Sequence, residues 1–295
     1  MTGGETPIDK RRARRSFERA AGDYDRVAVL QREIADRLLE RLDYIRLEPQ
    51  RILDLGTGTG YAIDGLQRRY RKAQVIALDF AHGMLLQARR RGRWLRRPRC
   101  VCADAESLPL ADGSLDLIVS SATLQWCNDL DRAFGECLRV LRPGGLLMFT
   151  TFGPGTLAEL RAAWGSVDGD SHVNPFLDMH DIGDALVRAR FADPVMDADR
   201  LTLTYDHLHD LMRDLKVLGA GNATQGRPRA MTGRARLAAV EHAYEVHRRD
   251  GRLPASYEVL FGHAWAPLAR TATSGNEVAI PLSAIGGRGR SGQIL

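Results

Sequence analysis

The chain has 295 residues, 44% hydrophobic and 27% charged, an ordinary globular balance that needs no disulfide or metal to hold its core. No apolar run reaches membrane-spanning length and the N-terminus is charged rather than signal-like, so the sequence reads as cytoplasmic. The formal net charge is +5, and its excess lies in arginine, clustered as "KRRARR" at 10–15 and "ARRRGRWLRRPR" at 88–99. These clusters read either as solvated surface or as a docking face for an acidic partner, protein or nucleic acid. Trp94 is the only aromatic residue in the second cluster, which weighs against nucleic acid.

In chain order, residues 1–15 read as a disordered basic leader. Residues 16–45 carry Val27, Leu30, Ile34, Leu38 and Leu42 at helical spacing, which predicts an amphipathic helix ended by Pro49. Strands and helices then alternate: strands "RILDL" (51–55), "AQVIALD" (73–79), "PRCVCAD" (98–104), "LDLIVSS" (115–121) and "GGLLMFTTF" (144–152), with helices at 61–71, 82–91 and 129–140. Five buried-type strands with helical crossovers predict an α/β, doubly wound parallel sheet. Further helices are expected at 155–164, 180–189, 206–218 and 232–248, with two more strands, 194–205 and 256–265, at one sheet edge. The segment 206–250 reads as a helical lid and 270–295 as a weakly ordered tail, leaving 49–269 as the main domain. Cys100 and Cys102 read as small core residues on one strand face, Cys127 and Cys137 stand alone, and no metal site is expected.

The functional signal begins at "ILDLGTGTG" (52–60). Gly56, Gly58 and Gly60 sit where the first strand ends, and a ligand there can lie against backbone without meeting a Cβ. Asp79 ends the second strand and is placed to accept from both hydroxyls of a ribose. A dinucleotide site wants G-x-G-x-x-G under a pyrophosphate; here the pattern is D-x-G-x-G-x-G, and the Asp54 carboxylate repels a pyrophosphate but welcomes an amino group. That favours the amino-acid end of S-adenosylmethionine. Asp104, ending the third strand, suits an adenine amino group, and Met84 suits its ring.

These motifs, with "LRPGG" (141–145) before the fifth strand, resemble class I S-adenosylmethionine-dependent methyltransferases, whose Rossmann-like, seven-stranded, mostly parallel sheet is then the expected fold. The flanks narrow the resemblance. "FERAAGDYDRVAVLQREIADRLL", the block from "AESLPLADGSLDLIVSSATLQWCNDL" to "AAW", "NPFLDMHDIGDAL", "LMRDLKVLGAGNAT" and "RLPASYEVLFGHAW" resemble the malonyl-acyl-carrier-protein O-methyltransferases of biotin synthesis over about residues 16–265. Many members carry Cys where Thr57 stands; a loop that uses backbone donors tolerates the change.

The resemblance implies these roles. Asp54 with Gly56, Thr57, Gly58 and Gly60 holds the methionine end; Asp79 holds the ribose; Asp104, Ala105 and Met84 hold the adenine; Phe80 also belongs to the cofactor site. Gln31 and Tyr24, on the N-terminal helices of 16–48, fold over the cofactor, and Ser120 and Ser121 lie beside its methionyl group. Gln125, Tyr24 and Phe176 position the acceptor. Lys216, Arg227, Arg229, Arg234 and Arg236 are candidates for meeting the phosphopantetheine phosphate or an acidic helix of an acyl carrier protein that bears the malonyl thioester, with solvated charge the plainer reading of each. No general acid or base is expected, since "SSATLQW" (120–126) holds none and a carboxylic acid is already ionised at neutral pH. The alternatives are a methyltransferase for another carboxylate or a carbon nucleophile, and a non-catalytic basic protein that binds nucleic acid.

Overall fold

A computed structural model describes residues 7–92, 96–226 and 233–268. Its centre is a seven-stranded sheet in the order β3-β2-β1-β4-β5-β7-β6, from β1 (Arg51–Leu55), β2 (Gln74–Asp79), β3 (Arg99–Cys102), β4 (Leu115–Ser120), β5 (Leu141–Phe152), β6 (Ala192–Tyr205) and β7 (Leu253–Trp265). The first five strands are parallel, with Leu53 of β1 opposite Ile76 and Ile118. β7 is antiparallel to both β5 and β6, between which it lies.

The central strands are apolar on both faces because both faces are covered. Ile52, Val75, Leu117 and Met148 pack under α3 (Val29–Arg41), α4 (Tyr61–Arg69), α7 (Ala158–Gly165) and α10 (Arg234–Tyr244). Their neighbours Leu53, Leu78, Ile118 and Leu147 pack under α6 (Leu130–Val140) and α8 (Met179–Arg188). Every parallel strand therefore points its C-terminal end at the same rim, where α1 (Lys10–Ala20), α2 (Tyr24–Val27), α5 (His82–Ala88) and α9 (Leu208–Val217) gather. Among the described residues, no helix is long and apolar enough to cross a membrane.

Three expectations need correction. Residues 10–15 are not disordered. Asp9 caps α1 by accepting the Arg12 N–H (3.0 Å), Ala13 is buried, and the Ile8 backbone is held by Asn128 and bridged to Thr224. Residues 1–6 lie outside the described set, as do the predicted tail 270–295 and two docking candidates, Arg227 and Arg229. The helix expected over 16–45 is three helices, because the chain turns at Gly22 and Asp23 and again at Ala28, whose ψ of 41° leaves the helical range. Cys102 is exposed at the sheet edge rather than in the core.

Candidate functional site

Two adjoining cavities open on the rim. Phe17, Tyr24, Ala122 and Trp126 form the partition between them and line both.

The first cavity runs along the ends of β1, β2 and β3. Asp79 stands at its centre, 6% exposed, with Oδ1 accepting the Ala81 N–H (2.8 Å) and Oδ2 the Gly58 N–H (2.9 Å). Burial pushes its carboxyl up to about 6 despite these donors. Tyr24, Gly56, Gly58, Phe80, Met84, Asp104, Ala105 and Ser121 also line this cavity.

Five predicted cofactor residues do not reach it: Gln31, which lines the second cavity, and four others, each for a local reason. Asp54 lies beneath the loop, 2% exposed, accepting the Thr57 hydroxyl (2.5 Å), and burial pushes it up to about 7. Thr57 is turned down to make that bond, and its N–H, like that of Gly56, donates to the Leu78 carbonyl. The loop thus spends its N–H groups at 56, 57 and 58 on the protein, and its glycines supply room rather than donors. At Gly58, with φ +54°, a Cβ would have nothing within 4 Å and would project into open space. At Gly60 a Cβ would fall 2.9 Å from the Ala88 Cα, so this glycine lets α4 pack on α5. Ser120 is fully buried and its hydroxyl donates to the Leu55 carbonyl (2.9 Å), while Ser121, one residue on, faces the cavity.

Lys10 was not foreseen. It pairs with Asp104 (2.7 Å) and Glu106 (2.8 Å) and closes the cleft from α1. Phe17 was likewise missed as a wall: it meets Trp126 edge-on (5.1 Å) and Phe80 (5.8 Å). The signal available was "SFERAA" just before the first recognised periodic run.

The second cavity extends from the partition toward α9, β6 and β7. Gln31 and Phe176 line it, as does Gln125. Gln31 therefore belongs to this cavity and not to the first; its Oε1 is buried without a hydrogen-bond partner. Gln125 is partly committed, its Nε2 donating to the Ala122 carbonyl (2.7 Å) and its Oε1 accepting from the Thr151 hydroxyl (3.2 Å). That pair steadies Ala122, which sits at φ +49° with its N–H donated to Thr150. Tyr205, Tyr257, Asn174 and Asp214 complete the walls and escaped the sequence reading. Burial raises all three phenols, Tyr205 to about 12, so all are neutral at physiological pH. No His, Lys, Arg or Cys lines the cavity among the described residues.

Of the segment 206–250, α9 and the turn after it border this cavity, whereas α10 packs on α7. Lys216 and Arg234 are exposed, and Arg236 pairs with Asp168 (3.4 Å).

The sheet order and the ligand cleft at the C-terminal ends of its parallel strands define a class I S-adenosylmethionine-dependent methyltransferase. A family model described as a methyltransferase domain matches residues 53–149. The fold is shared with the YcgJ protein of Bacillus subtilis (TM-score 0.55, 19% identity, 80% of this chain and 98% of that one). It is shared too with phosphoethanolamine N-methyltransferase 2 of Haemonchus contortus (TM-score 0.50, 19% identity, 79% and 52%). Among curated proteins, the chain is 56% identical over 265 residues to the malonyl-[acyl-carrier protein] O-methyltransferase of Halorhodospira halophila, covering 89% of this chain and 90% of that protein. It is also 56% identical over 278 residues to the enzyme of that name from a Methylovorus strain, covering 92% and 94%. The chain belongs to the malonyl-[acyl-carrier protein] O-methyltransferase family.

Proposed function

We propose that the chain methylates the free carboxylate of a malonyl thioester carried on acyl carrier protein, in the cytoplasm, with S-adenosylmethionine as donor. The product is a malonyl methyl ester, which primes pimelate assembly for biotin because its far end is masked. The observation that carries this reading is the second cavity, a largely apolar chamber with a few hydroxyl and amide groups and no His, Lys, Arg or Cys among the described residues, beside a nucleoside-type cleft. An acceptor that is already an anion needs no proton removed, and the neutral phenols of half-buried Tyr24 and Tyr205 and buried Tyr257 are donors suited to a carboxylate. The one carboxyl on the wall is Asp214, whose charge, after burial, helps to hold the Tyr205 phenol in its neutral form.

The first cavity fits the donor on its own chemistry. Asp79 retains lone pairs for a ribose diol, Gly58 leaves open space where a side chain would stand, and Met84 with Ala105 offers an apolar slot for adenine. When bound, S-adenosylmethionine supplies an electrophilic methyl on a cationic sulfonium. The chain's part is positioning and exclusion of water: Phe17, Tyr24 and Trp126 form the wall through which the two cavities meet, Phe176 and Gln31 border the acceptor, and the Ala122 turn shapes the passage. Asp54, out of contact with the cleft, acts by its field on a cationic amino group. Asp104 serves the adenine once Lys10 yields it.

The test is mass spectrometry of malonyl-carrier protein incubated with donor. One methyl ester on the malonyl group is expected, lost on mild alkaline hydrolysis. Methyl transfer to the carrier polypeptide instead, or to a different acid in competition, would overturn the assignment.

A further inference from the structure

We infer that the exposed face of α1 is the surface on which the acidic carrier protein docks, in preference to the arginines of α10. This rests on the functional reading above and adds to it the place where the partner lands.

The helix holds six basic residues and one acid, Glu18. Two of these seven turn inward. Glu18 accepts the N–H groups of His82 and Gly83 (2.7 and 2.6 Å), and Lys10 pairs with Asp104 and Glu106. Arg11, Arg12, Arg14, Arg15 and Arg19 are all exposed, with Arg14 lying 3.8 Å from Glu18. Arg11, Arg15 and Arg19 follow one another at four-residue spacing and so share one stripe, and neither Arg11 nor Arg15 has an ion-pair partner among the described residues. This arrangement opposes the helix itself. Three cations occupy the first turn, where the macrodipole favours acids, and like charges repel along the stripe. An acidic partner relieves both conflicts.

Position supports the same assignment. The buried side of α1 carries Phe17, which lines both cavities, and a Cβ at Gly219, just past α9, would fall 3.0 Å from the Ser16 carbonyl. Leu218 and Ala220, flanking that glycine, line the acceptor cavity. A protein seated on α1 therefore stands beside the acceptor chamber, with exposed Lys216 near the end of α9 on the same flank. The α10 arginines are worse placed: their helix does not line the cavity, and Arg236 is already paired with Asp168. Docking on α1 would also press the helix onto the cofactor cleft, because Lys10 and Phe17 close it.

The test compares the double variant Arg11→Glu/Arg15→Glu with Arg234→Glu/Arg236→Glu on two acceptors, malonyl-carrier protein and malonyl-N-acetylcysteamine, whose thioester arm is uncharged. For the α1 variant, kcat/KM with the carrier protein should fall at least tenfold, while the small thioester changes less than twofold. Its Tm should match or exceed that of the unaltered protein, since Arg11→Glu puts an acid in the first turn and Arg15→Glu puts one four residues before Arg19. An unchanged kcat/KM for the carrier protein, an equal fall with both acceptors, or a larger effect from the α10 variant would each overturn the proposal. Calorimetric binding of the carrier protein reads docking apart from chemistry. Arginine-dependent binding without methylation of either thioester would leave the surface standing and sink the functional reading. Loss of binding to a short RNA, with carrier-protein turnover intact, would give this face to nucleic acid instead.

Discussion

Replacing Asp54 with Asn tests whether the chain keeps a buried anion at its own expense. The carboxyl is 2% exposed, has no ion-pair partner among the described residues, and is raised from 3.8 to about 7 mainly by burial. The sign follows from the raised value. The protonated form is favoured in the folded state, so the stability this group gives is present at low pH and is lost as pH climbs from about 4 to about 7. At roughly 1.4 kcal/mol per pH unit the full cost of ionising it is about 4 kcal/mol by pH 8, and relaxation of the surrounding dipoles around the charge brings the expected figure to about 2 kcal/mol. Asn still accepts the Thr57 hydroxyl but carries no charge, so Asp54→Asn should raise the Tm of the ligand-free protein by about 4 °C at pH 8 and by little at pH 5. The same change should weaken S-adenosylmethionine binding by about tenfold, read by calorimetry, because the field at its amino group is gone. A variant whose Tm relative to the unaltered protein is the same at pH 5 and pH 8 would refute the burial argument. Unaltered cofactor affinity would refute the electrostatic role.

Two further outcomes separate packing from binding and fix the titrating group. Gly60→Ala should cost about 2–4 kcal/mol of stability, from its φ of +84° and the 2.9 Å approach to Ala88, yet leave the cofactor affinity of the folded fraction intact; Gly58→Ala should cost only about 1–2 kcal/mol and weaken cofactor binding, both seen by paired denaturation and calorimetry. Cofactor affinity should fall as pH drops below about 6, where Asp79 takes up a proton and loses acceptor capacity, and Asp79→Asn should flatten that part of the profile in calorimetric titrations from pH 5 to 8.

The strand series and the ligand cleft were readable because each rests on local chemistry: an apolar run such as "LDLIVS" can be a buried strand, and an acid at its successor's end has one place to point. Asp79, Met84 and Ser121 follow from that logic. Errors arose where a single residue's direction decides the matter. Ser120 and Ser121 differ by one step of strand alternation, and the N–H groups of Gly56 and Thr57 turn toward Leu78, a bond between two strands that no spacing reveals. The run "KRRARR" looked unstructured because its charge hides the buried Ala13 and the partners of Lys10, Asp104 and Glu106, which lie more than ninety residues away. The acceptor walls were least readable. Asn174, Tyr205, Asp214 and Tyr257 come from four separate stretches and meet only through the turn of β6 into α9 and the return of β7.

The place of β7 has a consequence for how the molecule is made. Among the described residues it is the final strand of the sheet in chain order, yet it pairs with β5 on one side and β6 on the other. While residues 253–265 are still inside the ribosome, both strands present open hydrogen-bonding edges, and β5 is apolar along most of its length. The acceptor chamber lacks its Tyr257 wall for the same interval. Sheet closure is thus a late, long-range event, of the sort that folds slowly and invites edge-to-edge association meanwhile. Chains cut short within the final strand should accumulate as aggregates rather than as weakened enzyme.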